Sequence, residues 1–138
     1  MDPVQWALKA EQMGAGEIYL TSVDRDGSKS GYDCVLIDMV ASAVRIPVIA
    51  SGGAGHPAHM LEVFSKTKAS AVSAANFFHF YEHSVIATKA VLKQAMDDIR
   101  LNTHARYAGQ VFEQGRLSKH DDEYLQHLLF EKIEKEVI

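Results

Sequence analysis

The residues best suited to chemistry lie in a short glycine-rich stretch, Ser51-Gly52-Gly53-Ala54-Gly55, which follows five apolar positions from Ile46 to Ala50. Its three glycines lack the Cβ atoms that hold an anion away from the backbone, so N–H groups can point at a ligand. A helix beginning near Pro57 would add partial positive charge, which favours a phosphate monoester. The stretch therefore predicts a phosphate site, and the alternative is a plain tight turn.

A second polar stretch, from Asp24 to Gly31, follows a segment from Ile18 to Val23 that is predicted to be a buried strand. It is long enough to form a loop that carries function. Asp24 and Asp26 flank Arg25, so the alternative to a substrate-covering loop is a cluster of surface ion pairs at a strand end.

Composition and charge narrow the class of protein. The chain of 138 residues is enough for one domain or part of one. Its net charge of −4 argues against a nucleic-acid partner, because neutralising many phosphates needs clustered Lys and Arg. No apolar run has the length of a membrane span and no export signal is evident, so no membrane partner is expected. The single cysteine, Cys34, favours a reducing compartment, and the cytoplasm is predicted.

Helices and strands alternate along the first 101 residues. The predicted helices run from Pro3 to Met13 after the cap Asp2, from the cap Asp33 to Val44, from Pro57 to Lys66, and from Val85 to Met96 after the cap Ser84. The predicted strands run from Ile18 to Val23, from Ile46 to Ala50 and from Ser70 to Asn76. This alternation implies an α/β fold with a parallel sheet, either doubly wound or part of a (β/α) barrel, with ligands at the carboxyl ends of the strands.

The remaining segments are predicted not to continue the alternation of helices and strands. Phe77 to His83 is expected to be a short polar-aromatic connection. Residues Asn102 to Gly115 are expected to be irregular. Ser118 and Asp121 resemble a capping box ahead of a helical stripe formed by Tyr124, Leu125, Leu128 and Leu129. We therefore predict a partial barrel over 1–101 and an irregular segment with a C-terminal helix over 102–138.

Three segments together carry a family resemblance: Gly14 to Asp33, Ile46 to Gly55, and Phe78-His79-Phe80. In this order and spacing they resemble the C-terminal half of the cyclase subunit of imidazole glycerol phosphate synthase, an enzyme of histidine biosynthesis. The resemblance covers about Asp2 to Leu101. It implies a (β/α)8 TIM barrel in which the present strands are the sixth, seventh and eighth. It also implies a substrate phosphorylated at both ends and ammonia from a glutaminase subunit on the opposite face.

The resemblance also assigns ligand-side positions. These are Thr21, Asp26 and Gly27 after the sixth strand, Ser51, Gly52 and Gly53 after the seventh, and Ala75 and Asn76 after the eighth. Asn76 is a departure, since the family usually has serine there, and its amide can still donate to phosphate. Glu17 matches a glutamate at the bottom of the barrel that helps form a gate for ammonia.

The family's general acid and general base are aspartates on the first and fifth strands, which this chain lacks. No catalytic residue is therefore predicted here, and no metal or cofactor. A barrel needs roughly 250 residues, and three strands cannot close one. We expect the chain to be part of a longer or split protein, completed by the missing N-terminal half-barrel or by self-association, and to be inactive alone.

Two other functions stay open. The extension beyond Leu101 is similar to paralogues that act with a glutaminase in acetamidino modification of bacterial surface sugars. The chain could instead be a non-catalytic phosphate-binding or assembly module that covers its sheet edges by oligomerising.

Overall fold

A computed structural model describes residues 2–81, 83–101, 112–113, 116–118 and 123. The elements are α1 (Pro3–Gln12), β1 (Ile18–Thr21), α2 (Cys34–Ala43), β2 (Val48–Ser51), α3 (Pro57–Lys66), β3 (Ala71–Val72), α4 (Asn76–Phe80), α5 (Ser84–Lys93), β4 (Phe112–Glu113) and β5 (Arg116–Leu117). The predicted alternation of helix and strand is confirmed as far as β3.

The first three strands form one parallel sheet in the order β1-β2-β3. Thr21 at the end of β1 pairs with Ser51 at the end of β2, and Ala50 pairs with Val72 of β3. The expected α/β fold with a parallel sheet is therefore confirmed. In the described part of the chain, β1 and β3 are the two edges of this sheet.

The core lies on one face of the sheet, between the strands and the helices. Ala50 of β2 is buried in one apolar cluster with Ile37 and Met60 of the helices. Val48 is buried in a second cluster, with Val40 of α2. Residues that alternate with this buried set point the other way, as β-strand geometry requires. Tyr19 on β1 is 59% exposed, so the second face is poorly covered by the described residues.

The predicted helix starts are confirmed where a capping side chain is present. Asp2 accepts a hydrogen bond from Val4 N at 2.9 Å, and Asp33 accepts one from Leu36 N at 3.0 Å. These bonds satisfy N–H groups that have no partner within the helix. The cap of α3 is His56, whose Nδ1 accepts from Ala58 N at 3.0 Å, and this cap was not predicted.

The connection predicted from Phe77 to His83 is wrong, because α4 occupies most of it. Phe77 is 1% exposed, and its ring lies 4.8 Å from that of Tyr81. Burial of these rings stabilises a helical turn that the sequence pattern does not predict. The predicted cap Ser84 is instead the first residue of α5, and its hydroxyl donates to Phe78 O at 2.9 Å.

The strands are shorter than predicted. Val23 lies beyond β1 and is 82% exposed, because the chain turns after Ser22. The third strand contains only Ala71 and Val72, since Asn76 already belongs to α4. The loops that follow β1 and β3 therefore begin earlier in the chain than the sequence predicts.

Little of the tail is described. β4 and β5 form an antiparallel pair, so the irregular segment predicted to Gly115 is wrong at Phe112–Glu113. The predicted helix after Ser118, with its stripe from Tyr124 to Leu129, lies outside the described residues, as does Asp121. None of the described helices is long and apolar enough to cross a membrane.

Candidate functional site

The candidate site lies where three loops leave the carboxyl ends of β1, β2 and β3. Ser22 N donates to Ser51 O at 3.1 Å, which joins the first two strand ends. Ser73 N donates to Ala50 O at 2.8 Å, which joins the second and third. Parallel pairing therefore brings the ligand-side positions of the sequence analysis to one edge, although they are far apart in the chain.

The glycines of the second loop are required by the first loop. Gly52 has φ of 90°, and a Cβ placed on it would lie 2.6 Å from Ser22 O. Gly53 has φ of 103°, and a Cβ there would overlap Gly31 O. Gly31 N in turn donates to Gly53 O at 2.8 Å. The two loops thus pack backbone against backbone, and this contact accounts for glycine at 52 and 53 whether or not an anion binds.

Gly55 also packs against the backbone of the first loop. A Cβ on Gly55 would overlap Lys29 O, and its N–H donates to His59 Nδ1 at 3.2 Å. That N–H is therefore engaged within the protein. The donors that the loop can still offer a phosphate are the Ser51 hydroxyl and the N–H groups before Gly55.

The first loop also reaches the third strand end. Asp26 N donates to Ser22 O at 3.0 Å, and Gly27 follows with φ of 74°. A Cβ on Gly27 would lie 3.9 Å from Asn76 Nδ2. Asp26, Gly27 and Asn76 are all exposed, so a carboxylate and an amide lie on the open side of the site.

Two other predicted positions, Ala75 and Glu17, place no polar side chain at this edge of the sheet. Ala75 precedes α4, and its carbonyl oxygen accepts from His79 N at 3.0 Å. It therefore offers a ligand no polar side chain. Glu17 directly precedes β1, so it lies at the end of the sheet opposite Thr21 and Ser51 and is exposed. The structure brings Thr21, Ser51 and the two loops together and leaves Glu17 apart from them.

The open face of the sheet carries a group of hydroxyls that the sequence analysis did not identify. Tyr19 OH donates to Ser51 Oγ at 2.9 Å and lies 2.9 Å from Ser73 Oγ. These three residues come from three strand regions, so only the register brings them together. Period-two alternation along Ile18 to Thr21 could have placed Tyr19 on this face, but could not have identified its partners.

Both tyrosines near this group have displaced pKa values. The neighbouring hydroxyls of Ser51, and then of Ser73, lower the pKa of Tyr19 because both can donate to its oxygen once the phenol is ionised. Tyr32 is buried, and burial raises the pKa of its phenol. Tyr32 OH donates to Ser73 O at 2.9 Å, so it stays a neutral donor that fixes the end of β3.

The surface ion-pair alternative for the first loop is not what is observed. Arg25 Nη1 donates to Ser30 Oγ at 3.2 Å. Among the described residues the salt bridge present joins Lys66 and Glu62 on α3. Lys29 Nζ lies 5.7 Å from the centre of the Tyr81 ring, so the loop also contacts the region after α4.

The family model described as "Histidine biosynthesis protein" matches residues 1–84. The imidazole glycerol phosphate synthase subunit HisF of Hydrogenobaculum sp. (strain Y04AAS1) is 54% identical over 101 residues, which cover 73% of this chain and 40% of that protein. HisF of Methanobrevibacter smithii is 52% identical over 101 residues, covering 73% and 37%.

A solved structure with a similar fold is wild-type GGGPS from Thermoplasma volcanium. It has a TM-score of 0.50 and 21% sequence identity, and the match covers 75% of this chain and 38% of that one. At this identity the likeness concerns the fold alone. The chain spans about two fifths of the length of the curated relatives that it matches.

Proposed function

The chain belongs to the histidine biosynthesis protein family, and on that premise we propose that it is the phosphate-binding part of an imidazole glycerol phosphate synthase cyclase-like subunit. The complete protein would use ammonia from a glutaminase partner to cyclise a bisphosphorylated ribulosyl aminoimidazole carboxamide intermediate. The observation that carries this proposal is the convergence of Thr21, Ser51 and the glycine loop at one edge of a parallel sheet.

In this proposal the loop from Ser51 to Gly53 binds one phosphate of the substrate. The Ser51 hydroxyl and backbone N–H groups are donors, which suits an anion that only accepts hydrogen bonds. Asn76 adds amide donors from the third loop. Asp26 lies on the open side, where its carboxylate would face the reacting part of the substrate.

We propose further that β1, β2 and β3 are the sixth, seventh and eighth strands of a (β/α)8 barrel. Two observations support this. The relatives that share half of the matched residues with this chain are about two and a half times as long as the matched segment, so most of their length lies outside the match. The described sheet has helices on one face and an open second face, as one sector of a barrel wall would have.

The missing partner would be the N-terminal part of the barrel, which would supply the two catalytic aspartates. It would join at both β1 and β3, the edge strands of the described sheet, because a closed barrel leaves no edge free. Beside the β1 edge, Trp6, Ala10, Met13 and Ala15 line an apolar cavity of about 510 Å³. Trp6 is 52% exposed and Met13 77% exposed, so a neighbouring helix could cover both. Glu17, at the opposite end of β1, would take part in the ammonia gate.

Phosphate binding is tested by titrating the 15N-labelled chain with inorganic phosphate and following the amide resonances. We expect shifts centred on Ser51 to Gly53. Ser51→Ala should weaken binding about threefold to tenfold, the range for one hydrogen bond. Asp24→Asn, which changes the first loop outside the predicted site, is the control. Unchanged resonances at Ser51 to Gly53 would contradict the proposal and favour a non-catalytic assembly module.

Cyclisation is tested separately with the substrate and an ammonium salt. The chain alone should show no turnover, because it carries neither catalytic aspartate of the family. Mixing it with the N-terminal part of a HisF relative should restore turnover. Turnover by the isolated chain would show that the acid and base lie here after all.

A second candidate function is favoured by the part of the chain outside the HisF match. The match covers 73% of the chain, so about a quarter has no counterpart in HisF of Hydrogenobaculum. This is consistent with the paralogues that deliver ammonia for acetamidino modification of surface sugars. A complemented barrel that binds phosphate but does not form imidazole glycerol phosphate would favour this branch.

A further inference from the structure

We propose that Tyr19 is a positioning residue for the phosphate loop. Its phenol donates a hydrogen bond to Ser51 Oγ, so the proton of the Ser51 hydroxyl remains available to donate to the bound phosphate. This inference rests on the proposed function, in which Ser51 contacts phosphate. It assigns a role to a residue that was not among the predicted ligand-side positions. It also explains why the hydroxyls of Ser51 and Ser73 both lie within hydrogen-bond distance of the Tyr19 oxygen on the open sheet face.

The assignment follows from counting protons. Tyr19 has one phenolic proton, and the geometry makes Tyr19 OH the donor to Ser51 Oγ at 2.9 Å. The second contact, at 2.9 Å between Tyr19 OH and Ser73 Oγ, then needs its proton from Ser73. The chain of donors therefore runs from Ser73 to Tyr19 to Ser51. Ser51 is the last member, and its proton is not used within the group.

The ends of this chain are fixed by the backbone. Ser73 N donates to Ala50 O at 2.8 Å, and Ser73 O accepts from Tyr32 OH at 2.9 Å. Ser51 O accepts from Ser22 N at 3.1 Å. The Ser73 and Ser51 hydroxyls are thus held by parallel strands, and the phenol of Tyr19 spans the distance between them. A hydroxyl fixed before the ligand arrives loses less conformational entropy on binding.

The direction of the donor chain makes the site favour an anionic ligand. With a lone pair of Ser51 Oγ occupied by Tyr19, Ser51 presents mainly a donor to a ligand. An ionised phosphate only accepts hydrogen bonds, so it matches this arrangement. The lowered pKa of Tyr19 concerns its ionised form, to which Ser51 and then Ser73 would both donate, whereas the neutral phenol donates to Ser51. Burial and the Asp26 carboxylate act in the opposite direction on this pKa.

The first test measures phosphate binding by amide shifts in a double-mutant cycle. Tyr19→Phe should weaken binding of inorganic phosphate about threefold to tenfold in the wild-type background. In the Ser51→Ala background the same substitution should have less than a twofold effect, because the two residues act through one contact. Tyr81→Phe is the matched control, since it removes a phenolic hydroxyl outside the group and should change the affinity less than twofold.

The second test does not depend on phosphate. In protein with 13C-labelled tyrosine, the resonance lost in Tyr19→Phe identifies Tyr19, and its pH titration gives the pKa. Ser51→Ala should raise that pKa towards the ordinary value of 10.0, because one stabilising hydrogen bond is lost. Tyr81→Phe, a substitution outside the group, should leave the titration unchanged.

The outcomes separate this inference from the proposed function. If Ser51→Ala weakens phosphate binding and Tyr19→Phe does not, the proposed function stands and the positioning role is wrong. If Tyr81→Phe weakens binding as much as Tyr19→Phe, the loss is not specific to the Tyr19 contact and the positioning role is wrong. If Ser51→Ala raises the pKa of Tyr19 but the unsubstituted chain does not bind phosphate, the contact is real and both the proposed phosphate site and the role of Tyr19 in it are overturned.

Discussion

The N–H of Gly31 donates to the carbonyl oxygen of Gly53 over 2.8 Å, and this single bond joins the loop after β1 to the loop after β2. At that separation no side chain fits on Gly53, because its Cβ would overlap Gly31 O. The glycine-rich sequence is thus a requirement of loop packing as well as a predicted phosphate site. The two roles are compatible, since the same packing fixes the Ser51 end of the loop.

Gly53→Ala should destabilise the protein by at least about 2 kcal/mol, because it adds an overlap to a backbone with φ of 103°. Urea unfolding measures the effect. Gly14→Ala separates the two causes, since Gly14 has φ of 94° and open space around its Cβ position, and should cost about 1 kcal/mol. Gly16→Ala has neither feature and should change stability by less than about 0.5 kcal/mol. Equal effects at all three positions would contradict the packing account.

Asp33→Ala should cost about 1 kcal/mol of stability, because the carboxylate accepts from Leu36 N at the start of α2. Asp33→Asn retains an acceptor oxygen and should cost less than half as much. Thermal or urea unfolding of the two variants decides the matter. A similar loss in both would mean that charge, and not capping, is the main contribution of Asp33.

Structural features that depend on residues close together in the chain could be predicted from the sequence. Asp2 and Asp33 were predicted as caps, and Pro57 as a helix start, because a cap depends on residues two or three positions away. The His56 cap was missed because histidine is not among the usual capping residues. The α/β alternation was predictable for the same reason, since periodicity is a local property.

Features that depend on register or on burial could not be predicted. The helix α4 depends on the burial of Phe77 against Tyr81, which a short aromatic run does not indicate. The contact between Tyr19 and Ser51 depends on residues 32 positions apart. Resemblance to a family gave the location of the site, but the reason for its glycines required the positions of Ser22 and Gly31.

Thr88→Val should stabilise the protein by about 1 kcal/mol. Thr88 on α5 is 3% exposed, and in the part of the chain that the structure describes its hydroxyl has no hydrogen-bond partner. Valine has nearly the same shape without a polar atom to desolvate. Thr67→Val is the matched control, because the Thr67 hydroxyl donates to Val63 O at 2.9 Å, and that variant should lose about 1 kcal/mol. A loss of stability in Thr88→Val would show that its hydroxyl has a partner in the folded protein.

The apolar surface beside β1 gives a prediction about the proposed barrel partner. Trp6→Asp should weaken association with the N-terminal part of a HisF relative by at least tenfold, because it places a charge where a helix is proposed to pack. Trp6 is already half exposed, so the stability of the chain alone should change little.

Val35→Asp is the matched control for that experiment. Val35 on α2 is 73% exposed, so it is also an exposed apolar residue, but it does not line the cavity formed by Trp6, Ala10, Met13 and Ala15. Association measured by analytical ultracentrifugation should be unaffected by Val35→Asp. If both substitutions weaken association equally, the partner does not dock at the β1 edge. If neither does, the exposed stripe of α1 is not part of the surface that contacts the N-terminal part.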